Sequence, residues 1–285
     1  MSRRGLAVGL ARTLAVATLV TVPGPAAGAA GPAASGRARV AAHRGGAALW
    51  PENSLLAFTN ALGLGVDAVE TDVHLTADGE VVIVHDPTLE RTTTGQGAVR
   101  GVAAGALADI RLRGPDGRPT EERVPRLAAL VDLLRPTTVE LLLEIKVDAG
   151  RQRYPGIEEK ALALVKDRRL LERTLVMGFQ PETVRRVREL EPAVRTVLLV
   201  GRGQLDRQRV SPSEAVAWTV DAGASVLGVQ HTALDADVVN RARAAGLGIA
   251  AWTVNEERDV NRVVGLGVDV VISDRPDVAL RLVGR

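Results

Sequence analysis

From Arg39 onward, short apolar runs rich in Val, Ile and Thr alternate with stretches whose apolar residues recur every three or four positions. The first pattern suits strands covered on both faces, the second helices packed on one side. Strands are expected at 40–43, 68–74, 81–85, 139–146, 174–179, 195–200, 225–230, 248–254 and 269–273. Helices are expected at 53–63, 126–134, 157–168, 181–190, 212–221, 235–245, 256–265 and 277–283. Asn53 and Asp235 stand where N-caps belong, and Pro181 suits a first helical turn.

Nine strands are one more than an eight-stranded barrel holds, and the spacing identifies the extra one. Only residues 76–80 separate the second and third runs, whereas a parallel crossover needs a dozen residues or more. Those two strands must therefore pair antiparallel. A two-residue turn at Asp78-Gly79 sets Asp72 opposite His85. The other eight strands predict an α/β protein, a (β/α)8 TIM barrel over 39–285 with one extra antiparallel hairpin strand. Residues 87–123, with only a weak helical stretch near 102–111, are expected to form a small insertion over the barrel mouth.

Barrel active sites lie at the C-terminal ends of the strands. Four runs with chemical potential fall there: His43-Arg44-Gly45, Glu70-Thr71-Asp72, His85-Asp86 and Glu144-Ile145-Lys146. By the two-residue period Glu70 and Asp72 share a face, as do Glu144 and Lys146. Two unit charges at ~4 Å repel by about 4 kcal/mol at an effective dielectric of about 20, so three carboxylates together cost on the order of 12. Lys146 alone does not offset that; raised pKa values or a divalent cation must. An all-oxygen ligand set favours Mg²⁺ or Ca²⁺ over Zn²⁺. His43 and His85 would flank the ion as acid and base, with Arg44 and Lys146 as anion clamps. That combination reads as phosphate-ester chemistry.

The runs AHRGGAALWPENSLLAF, AVETDVHLTADGEVVIVHDPTLERTTTG, VPRLAALVDLL, LLLEIK, AAWTVN and VISDRP, in that order across about residues 40–280, resemble the glycerophosphodiester phosphodiesterase family. The resemblance implies a metal-dependent hydrolase on a phospholipase C-like barrel, cleaving glycerophosphodiesters to glycerol 3-phosphate and an alcohol. By motif position His43 and His85 match the catalytic pair, Glu70, Asp72 and Glu144 the metal ligands, and Arg44 and Lys146 the phosphate-holding positions. Glu52, in PENS, matches a motif that orders the site, either through its loop or by direct contact. Met177-Gly178-Phe179 lacks the family's usual serine, and Val270-Val271 replaces a glycine-containing run, which leaves the leaving-group wall open. The same machinery could serve a lysophospholipid or a glycerophosphate polymer. A non-catalytic phosphodiester-binding module is disfavoured, because no histidine or carboxylate of the set is missing.

Outside this set, Trp252 near a strand end is read as substrate wall or core, and Trp50 as a cover over the site or surface packing. His74, His231 and Gln230 are rim positions that either touch substrate or do not; Gly201-Arg202-Gly203 reads as ordinary turn chemistry.

Composition narrows partners and compartment. Hydrophobic residues at 46% supply a sizeable core. The first 30 residues pair Arg3 and Arg4 with an apolar stretch from Leu6 to Val22 and a small-residue end, the anatomy of a signal peptide cleaved near Ala29 or Ala30. Its arginines fit a Sec or a twin-arginine signal. The apolar stretch falls short of the ~20 residues of a membrane span. An exported protein without a span in its mature form is expected, with residues 31–38 as linker. Removing Arg3, Arg4 and Arg12 takes the net charge from +2 to −1, so nucleic acid is not an expected partner and a small-molecule ester is. With no cysteine, thiolate metal sites and disulfides are excluded.

Overall fold

In the computed structural model residues 36–284 are described; the expected signal peptide and most of the linker lie outside them. Eleven strands form among the described residues: β1 (Arg39–Ala42), β2 (Ala68–Leu75), β3 (Val81–Ile83), β4 (Arg111–Arg113), β5 (Pro119–Arg123), β6 (Glu140–Ile145), β7 (Thr174–Gly178), β8 (Arg195–Val200), β9 (Val226–Gln230), β10 (Gly248–Trp252) and β11 (Val270–Ser273). Eight of them are parallel neighbours in the order β1, β2, β6, β7, β8, β9, β10, β11, and β1 closes the ring by pairing with both β2 and β11. The expected (β/α)8 barrel is therefore the fold.

The two-residue period sorts the barrel's side chains. Ala41, Ala68, Leu142, Leu175, Met177, Val197, Leu199, Val226, Ala250, Val270 and Ile272 point inward as one apolar cluster. Alternate residues such as Val40, Val69, Leu141, Leu143 and Val176 point outward and pack under the helices. Continuing the inward series one step toward the C-terminal ends replaces Ala68 by Glu70 and then Asp72, and Leu142 by Glu144. One periodicity thus builds a dry floor and a charged mouth.

At eight residues, β2 outruns its neighbours, and its last three residues pair antiparallel with β3. Here the expected register is corrected. Val73 faces Ile83, His74 faces Val82 and Leu75 faces Val81, so Asp72 stands opposite Val84 rather than His85. The turn is the cause. Thr76 N–H donates to the Glu80 carbonyl and Gly79 N–H to the Thr76 carbonyl, giving a three-residue loop with Gly79 at φ 77°. The Thr76 hydroxyl accepts from Glu80 N–H and donates to Asp78 Oδ1, which favours that loop.

Two further expectations change locally. The helix expected from Asn53 begins at Leu55, with Ser54 as its cap accepting from Ala57 N–H at 3.0 Å. The helix expected at 212–221 splits into a 3-10 turn, Pro212–Glu214, and a helix, Ala215–Asp221. Asp235 caps its helix as expected, accepting from Val238 N–H. A helix also forms over Arg202–Gln208, where only a turn was expected; Leu205 is its one buried anchor. The insertion contains a one-turn helix, Ala104–Leu107, within the weak helical stretch expected near 102–111, and the β4–β5 hairpin, which the apolar pattern did not announce. It has its own core of Leu89, Val99, Leu107, Leu112 and Val124 packed on Val82 and Val84 of the returning strand. No helix among the described residues is long and apolar enough to cross a membrane.

Candidate active site

Glu70, Asp72 and Glu144 converge at the mouth, each buried, with ligand oxygens all within 4.8 Å of one another. Register explains the meeting, since Asp72 and Glu144 are direct partners across β2 and β6. Burial first, and then repulsion from Asp72 and Glu144, pushes the Glu70 carboxyl up to about 8, although His43 and Arg44 pull the other way. Asp72 behaves oppositely. Burial would raise it, but Lys146, His85 and Arg44 hold it well below the usual carboxylate range. Lys146 Nζ lies 2.7 Å from Glu144 Oε1 and 3.1 Å from Asp72 Oδ1, and these charges raise its pKa against the effect of burial.

The surrounding loops fix these carboxylates. Asn53 Nδ2 donates to Asp72 Oδ2 at 2.9 Å, and the Thr71 hydroxyl donates to Asn53 Oδ1. Asn53 is thus a site residue rather than the expected helix cap. Arg44 N–H donates to Glu70 Oε2 at 2.9 Å, with Arg44 at φ 51°. Its neighbour must be glycine: a Cβ on Gly45 would sit 2.7 Å from the Ala57 Cβ, at φ 81°. The Arg44 side chain reaches Asp72 Oδ2 at 3.4 Å and Glu52 Oε1 at 3.1 Å.

Two imidazoles flank the carboxylates. His43 Nδ1 lies 2.6 Å from Asp274 Oδ1, and its Nε2 is 3.9 Å from Glu70 Oε2. Asp274 is gripped in turn by Asn255, whose Nδ2 donates to Oδ2 at 2.8 Å and whose Oδ1 accepts from Asp274 N–H. His85 Nδ1 lies 2.5 Å from Asp86 Oδ1, and Arg91 donates to both Asp86 oxygens. In both histidines a carboxylate at Nδ1 favours its protonation and leaves Nε2 for the cavity. Glu52 joins the two arms, accepting from Arg44 on one side and from Arg91 on the other.

A cavity of about 80 Å³ is lined by His43, Arg44, Glu70, His85, Glu144 and Lys146 on its polar side and by Met177, Phe179, Leu199, Trp252 and Ile272 on its apolar side. Trp252 meets Phe179 edge to face, centroids 5.5 Å apart. A groove of about 930 Å³ shares His85, Glu144, Lys146 and Phe179 with this cavity and runs out past Val147, Gln204 and Trp218.

Other sequence candidates fall elsewhere. His74 is not an exposed rim residue; it is fully buried at the wall of the larger groove, between Tyr154 and the main chain of His85, and burial pushes its pKa down to about 4. His231 packs against Arg262, and Gln230 Oε1 accepts from Arg202 N–H; neither lines the cavity. Trp50 packs over Gly46, also off the cavity. Asn53, Asp86, Arg91, Asn255 and Asp274 received no site role from the sequence, although the conspicuous runs PENS, VIVHDPTLER, AAWTVN and VISDRP contain them.

Fold and site together define a (β/α)8 barrel whose mouth sets two carboxylate-anchored imidazoles around an acidic pocket. The chain belongs to the glycerophosphoryl diester phosphodiesterase family, whose sequence pattern matches residues 43–278. A glycerophosphodiester phosphodiesterase of Caldanaerobacter subterraneus subsp. tengcongensis is 30% identical over 245 residues, covering 86% of this chain and 97% of that protein. One from Bacillus subtilis is 31% identical over 252 residues, 83% of each chain. Among solved structures, an Oleispira antarctica phosphodiesterase in complex with the product sn-glycerol-3-phosphate superposes with a TM-score of 0.71 at 25% identity, covering 88% of this chain and 98% of that one.

The donor set fits a divalent cation. Asp72 Oδ1 is buried without an aligned hydrogen bond, and burial, followed by repulsion from Asp72 and Glu144, raises the Glu70 carboxyl, both of which a cation would relieve. Family membership and this cluster both point to a divalent-metal site.

Proposed function

We propose that the chain is an exported, metal-dependent hydrolase that cleaves glycerophosphodiesters to glycerol 3-phosphate and an alcohol. The observation that carries the reading is the opening of two imidazoles, each anchored at Nδ1 by a carboxylate, onto the cavity that holds Glu70 and Glu144. Glu70, Asp72 and Glu144 would hold Mg²⁺ or Ca²⁺, and such an ion when bound supplies Lewis-acid polarisation of a phosphoryl oxygen. One imidazole takes the proton from the attacking oxygen and the other delivers one to the leaving alkoxide, roles that suit imidazole near neutral pH. Arg44 and Lys146 bind the phosphate oxygens. Trp252 and Phe179 give the glycerol end an apolar wall.

Release of glycerol 3-phosphate from glycerophosphocholine, measured with Mg²⁺, with Ca²⁺ and with chelator, tests the reading. Activity with an ion and none with chelator is expected; full turnover in excess chelator overturns the metal dependence. The adjoining groove has room for an alcohol larger than choline, so lysophosphatidylcholine and a glycerophosphate oligomer belong on the same panel. Export rests on the leader's anatomy, and N-terminal sequencing of secreted protein should place cleavage near Ala29 or Ala30.

A further inference from the structure

His74 lies two residues beyond Asp72 on the inward face of β2, with no surface exposed to solvent. Its Nε2 is 3.1 Å from the main-chain oxygen of His85, and its Nδ1 is 2.9 Å from the Tyr154 hydroxyl. We propose that His74 is a positioning residue for His85, holding by its Nε2–H the bend that turns the His85 imidazole into the site.

The hydrogen-bond directions follow from what each group can do. A carbonyl oxygen only accepts, so Nε2 must carry a proton. In the neutral ring Nδ1 then offers its lone pair, and Tyr154 O–H donates to it. The need for such a brace follows from the hairpin register. With Asp72 opposite Val84, continued pairing would send the next side chain, that of His85, to the face turned away from the carboxylates. The strand instead stops at Ile83, Val84 N–H makes a last bond to the Asp72 carbonyl, and the chain bends. A bend frees main-chain groups that must find partners when buried. The His85 carbonyl finds His74.

The other restraints on His85 are more exposed. Asp86 holds the ring at Nδ1, but Arg91, which holds Asp86, has a side chain 49% exposed. His74 is braced from behind: its ring meets Tyr154 edge-on at 5.6 Å, and Arg100 of the insertion lies 5.9 Å above the Tyr154 ring and pairs with Asp148. The insertion therefore bears on His85 by two routes, directly through Arg91 and from behind through Tyr154 and His74.

This inference rests on the hydrolase reading, and steady-state kinetics on glycerophosphocholine with crystal structures of the variants separate the two. His74→Leu, which keeps the volume and removes the donor, is expected to lower kcat on the order of 10²-fold, as for a catalytic group displaced by about 1 Å. KM should stay within about twofold, because substrate binding does not use the bend. His74→Gln should recover most of the loss, since its side-chain N–H can reach the same carbonyl while its oxygen accepts from Tyr154. Tyr154→Phe should cost less than His74→Leu, but measurably, in kcat. The crystal structure of His74→Leu should show the His85 ring moved from the cavity. A folded His74→Leu protein with wild-type kcat and an unmoved His85 ring overturns the proposal, as does a His74→Gln protein as slow as His74→Leu. Should the leucine variant fail to fold, wild-type kcat in Tyr154→Phe or a large loss in His74→Gln overturns it equally. Absence of turnover in the wild-type protein would overturn the hydrolase reading instead, and the position of the His85 ring would still judge this one.

Discussion

His43 and His85 open onto one cavity, yet opposite kinds of structure hold them. His43 follows a barrel strand, and its carboxylate partner, Asp274, arrives from 231 residues away at the end of the last strand. That pair exists only because β1 meets β11 when the ring closes. His85 follows the bend after the returning strand and is bound by its own neighbour Asp86, by Arg91 six residues on, and by His74 across the hairpin. One histidine depends on global closure and the other on a local hairpin and its insertion. Two residues proposed for the same reaction should therefore fail in different ways.

The largest effect removes the rings. His43→Ala and His85→Ala should each lower glycerol 3-phosphate release by about 10² to 10⁴. Near-normal turnover in either would end the comparison, because that histidine would have no part in proton transfer. The anchors come next. Asp274→Asn should cost roughly 10 to 100-fold in kcat, the usual range for a group that orients an active-site imidazole, and Asp86→Asn less within that range. His85 has Arg91 3.4 Å from its Nδ1 beside Asp86 and the His74 ring on its carbonyl, whereas His43 has Asp274 at Nδ1 and a carbonyl that accepts from the main-chain N–H groups of Gly46 and Ala47. Equal losses would show that ring closure and hairpin hold their histidines equally firmly.

The carboxylates between the histidines give a pH test. Glu70 titrates at about 8 in the folded, metal-free protein against 4.5 as a free side chain. A folded-state pKa raised in this way contributes stability that is full below about 4.5 and is lost as pH rises through about 8. Thermal melts in chelator should accordingly fall between those values, and Mg²⁺ should flatten the decline. A metal-free melting temperature that rises over this window would contradict the charge balance drawn for the pocket. Arg91→Gln is the smallest change. Its side chain is 49% exposed, and exposed ion pairs contribute about 1 kcal/mol at most, so a loss of roughly fivefold or less is expected. A loss larger than that of Asp86→Asn would make Arg91 a direct participant.

How much of this was legible beforehand varies by residue. Glu70, Asp72 and Glu144 could be placed together from spacing alone, because period-two strands and parallel neighbours leave little freedom. The hairpin was legible from its short connection, but its register was not. Asp78-Gly79 favours a two-residue turn on its own, and the Thr76 hydroxyl, bonding to Glu80 N–H and Asp78, tips the chain to three. Asn53 looked like a cap because amide side chains cap helices; Ser54 took that role and left Asn53 for Asp72. The β4–β5 hairpin was invisible because Pro-Thr-Glu-Glu-Arg carries no apolar alternation.

Determined by sequence alone were the alternation of strands and helices, the single antiparallel return, and which side chains share a face. These follow from local geometry, in which a strand's period and a connection's length are properties of a few consecutive residues. Tertiary structure decided the pairings that local pattern leaves open: Asp274 with His43, Glu52 between Arg44 and Arg91, Lys146 between two carboxylates, and His74 beneath His85. Each depends on where separate strands and loops come to lie, set by barrel closure or by a one-residue choice of register.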